Sequence, residues 1–289
     1  GRICRLFGMS RQAYYQYQNE IEKEVYKLHF VLELVKQIRK DHPRMGTRKM
    51  YHLIQPDLKS HRIKIGRDAF FNCLREEGLL IRKRKRYSIT TNSNHWYRKH
   101  PNLIRGFVPY KPNQLWVSDI TYIRVNKNHK YLFLMTDAYS RKIIGHKLSD
   151  NLESSNAIIC LRSALGNICK PILGLIHHSD RGIQYCSNKY VNLLQDYGID
   201  ISMTENGDPL ENAIAERMNG ILKQEYIQEH INRINTITSM QMTRIIDKYN
   251  CKRPHLSCNM LTPEKAHKRK GRLQKRWKNY YKKEVSLIN

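Results

Sequence analysis

Residues 115–123 read LWVSDITYI, residues 175–185 read LIHHSDRGIQY, and residues 212–225 read NAIAERMNGILKQE. The first two have the β-branched and aromatic content of strands that end in or pass through an aspartate. The third has the apolar spacing of a helix and carries a glutamate. Asp119, Asp180 and Glu216 therefore come from distant points of the chain and sit on rigid elements, with 35 residues between the last two. Three carboxylates so placed suit a site for two divalent ions, Mg²⁺ or Mn²⁺, of the kind that activates a nucleophile and stabilises a leaving oxygen in phosphoryl transfer. Such ions take a few carboxylates together with water and substrate phosphate rather than a closed protein cage.

Working outward, residues 113–228 read as one α/β unit. Strand patterns cover 114–125, 130–137 and 142–148, with a polar hairpin turn from Asn126 to His129. Ser154 can cap a helix, the apolar run from Ile172 to Ile176 leads to Asp180, a helix follows at 187–197, and Gly198 stops it. A short strand over 199–203 precedes the Glu216 helix. The order β-β-β-α-β-α-β-α predicts a mixed five-stranded sheet with helices on its faces. For a helix over 209–227, about 100° per residue puts Leu210, Ala213, Ile214, Met218, Ile221 and Leu222 on one face. Glu216, Gly220 and Lys223 fall opposite, where they face either a site, with Lys223 gripping a phosphate, or plain solvent.

The flanks are helical and basic. Residues 1–18 give a helix-turn-helix pattern, with Ile3 and Leu6 in a first helix, Gly8 as the break and Ser10 as a cap. A further helix spans 20–40, so 1–41 is one unit. In 42–80, Thr47 caps a helix that Pro56 stops, and a second helix over 67–77 turns Ala69, Phe70, Cys73 and Leu74 inward before Gly78. Residues 81–112 read as a linker. From Gly78 to Ser118 there is no Asp or Glu, while nine Lys or Arg occur, five of them in the run Arg82, Lys83, Arg84, Lys85, Arg86. This predicts a phosphate-tracking, DNA-binding arm. Trp96 and Tyr97 either stack on bases or pack on the next unit. Residues 229–289 form a basic helical region with ten Lys or Arg from Lys265 to Lys283.

The net charge of +27, with pI near 9.9, exceeds what solubility needs and points to a polyanion, nucleic acid first. No apolar run is long enough for a membrane span, and the first residues do not resemble a signal peptide. Seven cysteines are scattered without a CxxC pair, which suits reduced thiols in a cytoplasm. The chain begins with Gly1 rather than Met, so it is read as a fragment or as the downstream part of a longer reading frame.

Taken together, WVSDITYI, LMTDAYSRKIIG, HHSDRGIQYCS, ENAIAERMNGILKQE and YNCKRPHLSCNMLTPEKA resemble, in order and spacing, the OrfB-type transposases of the insertion-sequence-three family, bacterial relatives of retroviral integrase. GRICRLFGMSRQAYYQ and PRMGTRKMYHLI…GLLIRKRKR match the helix-turn-helix parts that precede the family's catalytic core. The resemblance implies an RNase H-like core with Asp119, Asp180 and Glu216 as metal-binding acids and Lys223 as a DNA contact. It also implies attack on a DNA phosphodiester by water and then by a 3′-hydroxyl, with Mg²⁺ as the cofactor. Homo-multimers on two DNA ends, an upstream OrfA-type partner or fusion, and a nucleoid-associated place in a bacterial cytoplasm follow from it as well. The loop TENGDPLENA departs from the more basic stretch of many members, and the integrase-type zinc-binding domain is absent.

The resemblance passes over Asp137, Glu205, Asp208 and Glu211, and it leaves His177 and His178 to strand packing. Arg181 and Gln184, beside the second acid, become candidates to touch substrate. A nuclease that only hydrolyses uses the same three acids, and a non-catalytic helix-turn-helix regulator needs none of them. Replacing Arg82 to Arg86 with neutral residues should weaken DNA binding and flatten its dependence on salt; a salt titration of binding that matches the parent would remove the arm from this account.

Overall fold

Strands β1 (Leu115–Val125), β2 (Asn128–Asp137) and β3 (Ile143–Ser149) follow one another antiparallel. The β1–β2 hairpin closes through two residues, and Asn126 takes the left-handed backbone (φ 55°) that such a turn needs. β4 (Ile176–Ser179) and β5 (Asp200–Met203) then add in parallel beside β1, giving the order β3-β2-β1-β4-β5. This computed structural model describes residues 8–81, 96–166, 173–205 and 211–276. Arg82 to Arg86, Ile3, Leu6, Asp208, Leu210 and the end of the basic tail lie outside those residues.

The two-residue period of the strands divides the core. Trp116, Phe133 and Met135 point to one face, under α4 (Ser154–Leu165) and α6 (Asn188–Asp196), with the short α5 (Ile183–Cys186) before them. Ile123, Leu132 and Leu134 point to the other. There they meet α7 (Ala213–Leu222), a π-helical turn (Lys223–Ile227) that runs on into α8 (Gln228–Ile234), and α9 (Ser239–Lys252). A capping box between Thr238 and Gln241 starts α9. At its far end Asn250 accepts from Ile143 N (3.0 Å) and donates to Ile143 O (2.9 Å), which satisfies part of the β3 edge. The helices after 228 thus belong to the same compact unit as the sheet, Lys85–Asn289.

The other compact unit is Gly1–Arg84. Its α1 (Arg11–Asp41), α2 (Thr47–Ser60) and α3 (Arg67–Glu76) share one core, with Val31, Val35, Met50, Ile54, Phe70 and Leu74 fully buried. The core therefore spans the boundary expected at 41.

Several local expectations are corrected. Ser10 does cap, accepting from Ala13 N at 3.0 Å, but α1 runs unbroken to Asp41 because no Gly or Pro interrupts it. Gly46 and Glu153, not Thr47 and Ser154, are the N-caps of α2 and α4. Pro56 lies inside α2, where burial of Ile54 and Leu58 on either side outweighs the lost hydrogen bond. Ala69 and Ala213 are exposed, since so small a side chain gains little by facing inward. The helix carrying Glu216 begins at Ala213 and changes to the wider π turn at Lys223.

Gly145 on β3 marks the tightest approach of a helix to the sheet. A Cβ there would lie 2.5 Å from the Cys160 carbonyl oxygen and 3.1 Å from Ala164 Cβ, both on α4. Gly145→Ala should therefore lower stability by about 1–3 kcal/mol, read as a shifted denaturant midpoint; an unchanged midpoint would mean that α4 is not seated on β3 as described.

Candidate active site

Two strands and one helix bring the site together. β1 and β4 pair Leu115 with Ile176, Trp116 with His177 and Val117 with His178. The same offset sets Asp119 opposite Asp180, one residue past the end of β4. Paired residues of parallel strands point to one face, here the face covered by α7. Asp119 Oδ2 accepts a 2.7 Å bond from Asn219 Nδ2, and its Oδ1 accepts from Ile120 N at 2.9 Å. Asn212, the N-cap of α7, donates to Ser118 O at 3.1 Å, so two amides moor the helix along β1. Glu216 lies one turn before Asn219 and hence on the same side of α7, and it is exposed.

Asp180 is set by its own turn. Its Oδ1 accepts from Gly182 N at 3.0 Å. A Cβ on Gly182 would sit 3.0 Å from that oxygen and 3.2 Å from Gln184 Oε1, so the turn closes best around a glycine. Burial pushes the Asp119 carboxyl up to about 7; the charge of Asp180 adds to this and that of Glu216 adds a little, while the bonds from Asn219 and Ile120 pull the other way. Burial also raises Glu216 and lowers Lys223, the half-buried first residue of the π turn.

Residues 109–209 match the integrase core domain family, and residues 197–263 match a second family of the same description. An uncharacterized 31 kDa protein of insertion element IS600 from Shigella sonnei is 32% identical over 277 residues, 92% of this chain and 98% of that protein. Transposase InsF for insertion sequence IS3A from Escherichia coli (strain K12) is 33% identical over 193 residues, 66% of this chain and 67% of that one. The chain belongs to the insertion-sequence transposases. Its type is that of the insertion-sequence-three family, as the motifs implied. A chain of the simian T-cell lymphotropic virus intasome, solved by cryo-EM in complex with PP2A regulatory subunit B56 gamma, is 20% identical. It superposes with a TM-score of 0.50 over 74% of this chain and 70% of that chain, and the transposase core is accordingly RNase H-like.

Three of the carboxylates that the motifs passed over, Asp137, Glu205 and Glu211, have partners of their own in this transposase. Asp137 is fully buried and accepts from Ser140 N, the Ser140 hydroxyl and Asn113 N at 2.6–2.8 Å. Burial pushes its pKa up, but His267, Ser140 and Asn113 outweigh that and leave it below the usual value. Glu205 and Glu211 pair with Arg105. His177 bonds Ser118 and Tyr190, His178 bonds Ser202, and burial lowers them to about 3 and about 4, so both are neutral strand-packing residues. Gln184 is buried and donates to Leu152 O at 2.9 Å, bracing the loop before α4, whereas Arg181 is only half-buried.

Asn219 was not legible as a site residue. Its one signal was a polar side chain at a position of α7 that the packing buries to 6% exposure. Among the described residues no three His, Cys, Asp or Glu side chains, Asp119, Asp180 and Glu216 included, lie together as a group that could hold a metal ion, and no helix is long and apolar enough to cross a membrane.

Because folding raises the Asp119 pKa, ionisation of Asp119 opposes folding. Its effect is absent below the ordinary carboxylate value and grows as pH rises through about 7. In a chelating buffer, Asp119→Asn should therefore unfold at a higher temperature than the parent near pH 8, with the gap closing towards about pH 4. A flipped Asn219 amide can pair with the new side chain. A gap that stays constant across this range would exclude Asp119 ionisation as its source.

Proposed function

We propose that this transposase cuts and joins DNA strands at Asp119, Asp180 and Glu216, with Mg²⁺ or Mn²⁺ as cofactor. The observation that carries the reading is the setting of Asp119 and Asp180 at one end of neighbouring parallel strands, with the Glu216 helix bonded to Asp119 through Asn219. Hard carboxylate oxygens suit these cations, which complete their shell with water and phosphate. The burial and the like-charge repulsion from Asp180 that together lift Asp119 are what a divalent charge offsets. Two ions per site, when bound, polarise the scissile phosphate and make a water or 3′-hydroxyl nucleophilic.

The protein's own groups orient the reaction. Asn219 and Ile120 N–H fix the Asp119 carboxylate, and Gly182 N–H fixes that of Asp180. Glu216 offers its carboxylate from the exposed side of α7, and Lys223, two turns on, meets a DNA phosphate. Arg181, next to Asp180, meets another. Water first attacks a phosphodiester at the element end, breaking one P–O bond and freeing a 3′-hydroxyl. That hydroxyl then attacks target DNA, again exchanging one P–O bond for another, so no covalent protein–DNA link is required.

The substrate is DNA, drawn by the +27 charge and by the Arg82 to Arg86 arm. The helical unit before the core supplies further DNA contacts. The protein acts as a homo-multimer on two ends. The first half of α1 supports this, since Tyr14, Tyr17, Ile21, Val25 and Leu28 are exposed there at three- and four-residue spacing. An OrfA-type upstream product adds recognition of the ends, in a bacterial cytoplasm close to the nucleoid.

Labelled duplexes carrying the element's end, incubated with and without Mg²⁺ or Mn²⁺, should yield nicked and joined products with the parent. Glu216→Gln should reduce both by several orders of magnitude. Nicks without joining would favour the nuclease reading. Binding without chemistry in either protein, with the upstream product added, would leave only a DNA-binding regulator.

A further inference from the structure

Trp96 is 82% exposed, the largest exposure of an aromatic side chain among the described residues. Its ring stacks on Tyr97, with centroids 4.2 Å apart and planes 24° from parallel. Tyr97 in turn packs against the core cluster that holds Trp116, Tyr185 and Tyr190. The pair is thus anchored on its inner side and open on its outer one.

The segment that carries it is pinned to the sheet. Pro101 O accepts from Met203 N (3.2 Å), Asn102 N donates to Glu205, and Leu103 N donates to Ser202 Oγ (2.9 Å), so the chain runs along β5. Arg98 and Lys99, both exposed, follow the aromatic pair. The charges of Asp180, Lys99 and Arg181 all act on the Cys186 thiol of α5, which touches Met203 of β5 at 3.7 Å. No acid occurs anywhere from Gly78 to Ser118.

An open indole face with two cations beside it and no carboxylate in its own segment has the chemistry of a nucleobase support. The ring offers a π-face and the cations meet the adjoining phosphates. A base inside a duplex has both faces covered by its neighbours, so only an unpaired one can use such a face. We propose that Trp96, backed by Tyr97 and flanked by Arg98 and Lys99, is a stacking platform for an unpaired base of the DNA strand led to Asp180. This rests on the reading of the chain as a DNA strand transferase.

The test measures binding of the full chain and of its Trp96→Ala and Trp96→Phe variants to two labelled DNAs by anisotropy. One is a blunt duplex, the other the same duplex with a short unpaired tail. Trp96→Ala should weaken tailed-DNA binding by roughly 5- to 100-fold, the worth of one stacked base. It should leave blunt-duplex binding and the unfolding temperature unchanged, and Trp96→Phe should restore most of the loss. Equal losses on both DNAs, or no loss on either, would overturn the platform. Strand joining by the parent is scored in parallel: joining with no Trp96 effect sinks the platform alone, whereas a tail-specific Trp96 effect without joining sinks only the strand-transfer reading.

Discussion

Three backbone pairings, Leu115 with Ile176, Trp116 with His177 and Val117 with His178, hold β1 against β4. Everything at the site depends on this parallel contact. It gives the two aspartates one level and one face, and it leaves both just where β4 stops and backbone pairing ends. A slip of one residue would turn one of the acids to the opposite face, into the apolar cluster around Trp116 and Tyr190. That cluster on one side, and the packing of α7 and α9 on the other, hold the register.

The site opposes its own folding. Two half-buried carboxylates are brought together, and desolvation with the charge of Asp180 lifts Asp119 towards neutrality. The amide of Asn219 and the N–H of Ile120 offset part of that cost without adding charge. The surrounding acids and bases are kept out of the balance by partners of their own. Asp137 is enclosed by Ser140, Asn113 and His267, Glu205 and Glu211 lie with Arg105, and Glu225 is paired with the buried Arg253 at 2.7 Å.

The C-terminal helices show how the helix that carries Glu216 is kept in place. α7 has only ten residues, too few to persist alone. It is continued through the π turn into α8, and α9 packs across it, with Tyr249 reaching Met218 at 3.5 Å. The π turn also re-aims the chain at Lys223, so that lysine and Glu216 are presented by helical segments of different pitch. Gly271, far along the chain, bonds Tyr110 and Tyr139, so the C-terminal segment closes over the start of β1.

The strand and helix character of the segments that carry the three acids, the caps at Ser10 and Thr262, and the excess of positive charge were legible in the residues themselves. These depend on neighbours within a turn or a strand, where side-chain period and capping chemistry act directly. The sequence did not reveal that Asn219 would hold Asp119, 100 residues away, or that Asn250 would close the β3 edge. Nor did it reveal that Pro56 would be carried inside a helix or that Trp96 would stay uncovered while Tyr97 packed. By itself the sequence determined which chemical groups the transposase has and which local element carries each. Only the tertiary structure decided which of them meet, because contacts between distant residues form where apolar faces bury together, and polar partners are matched only after that burial has set their distance.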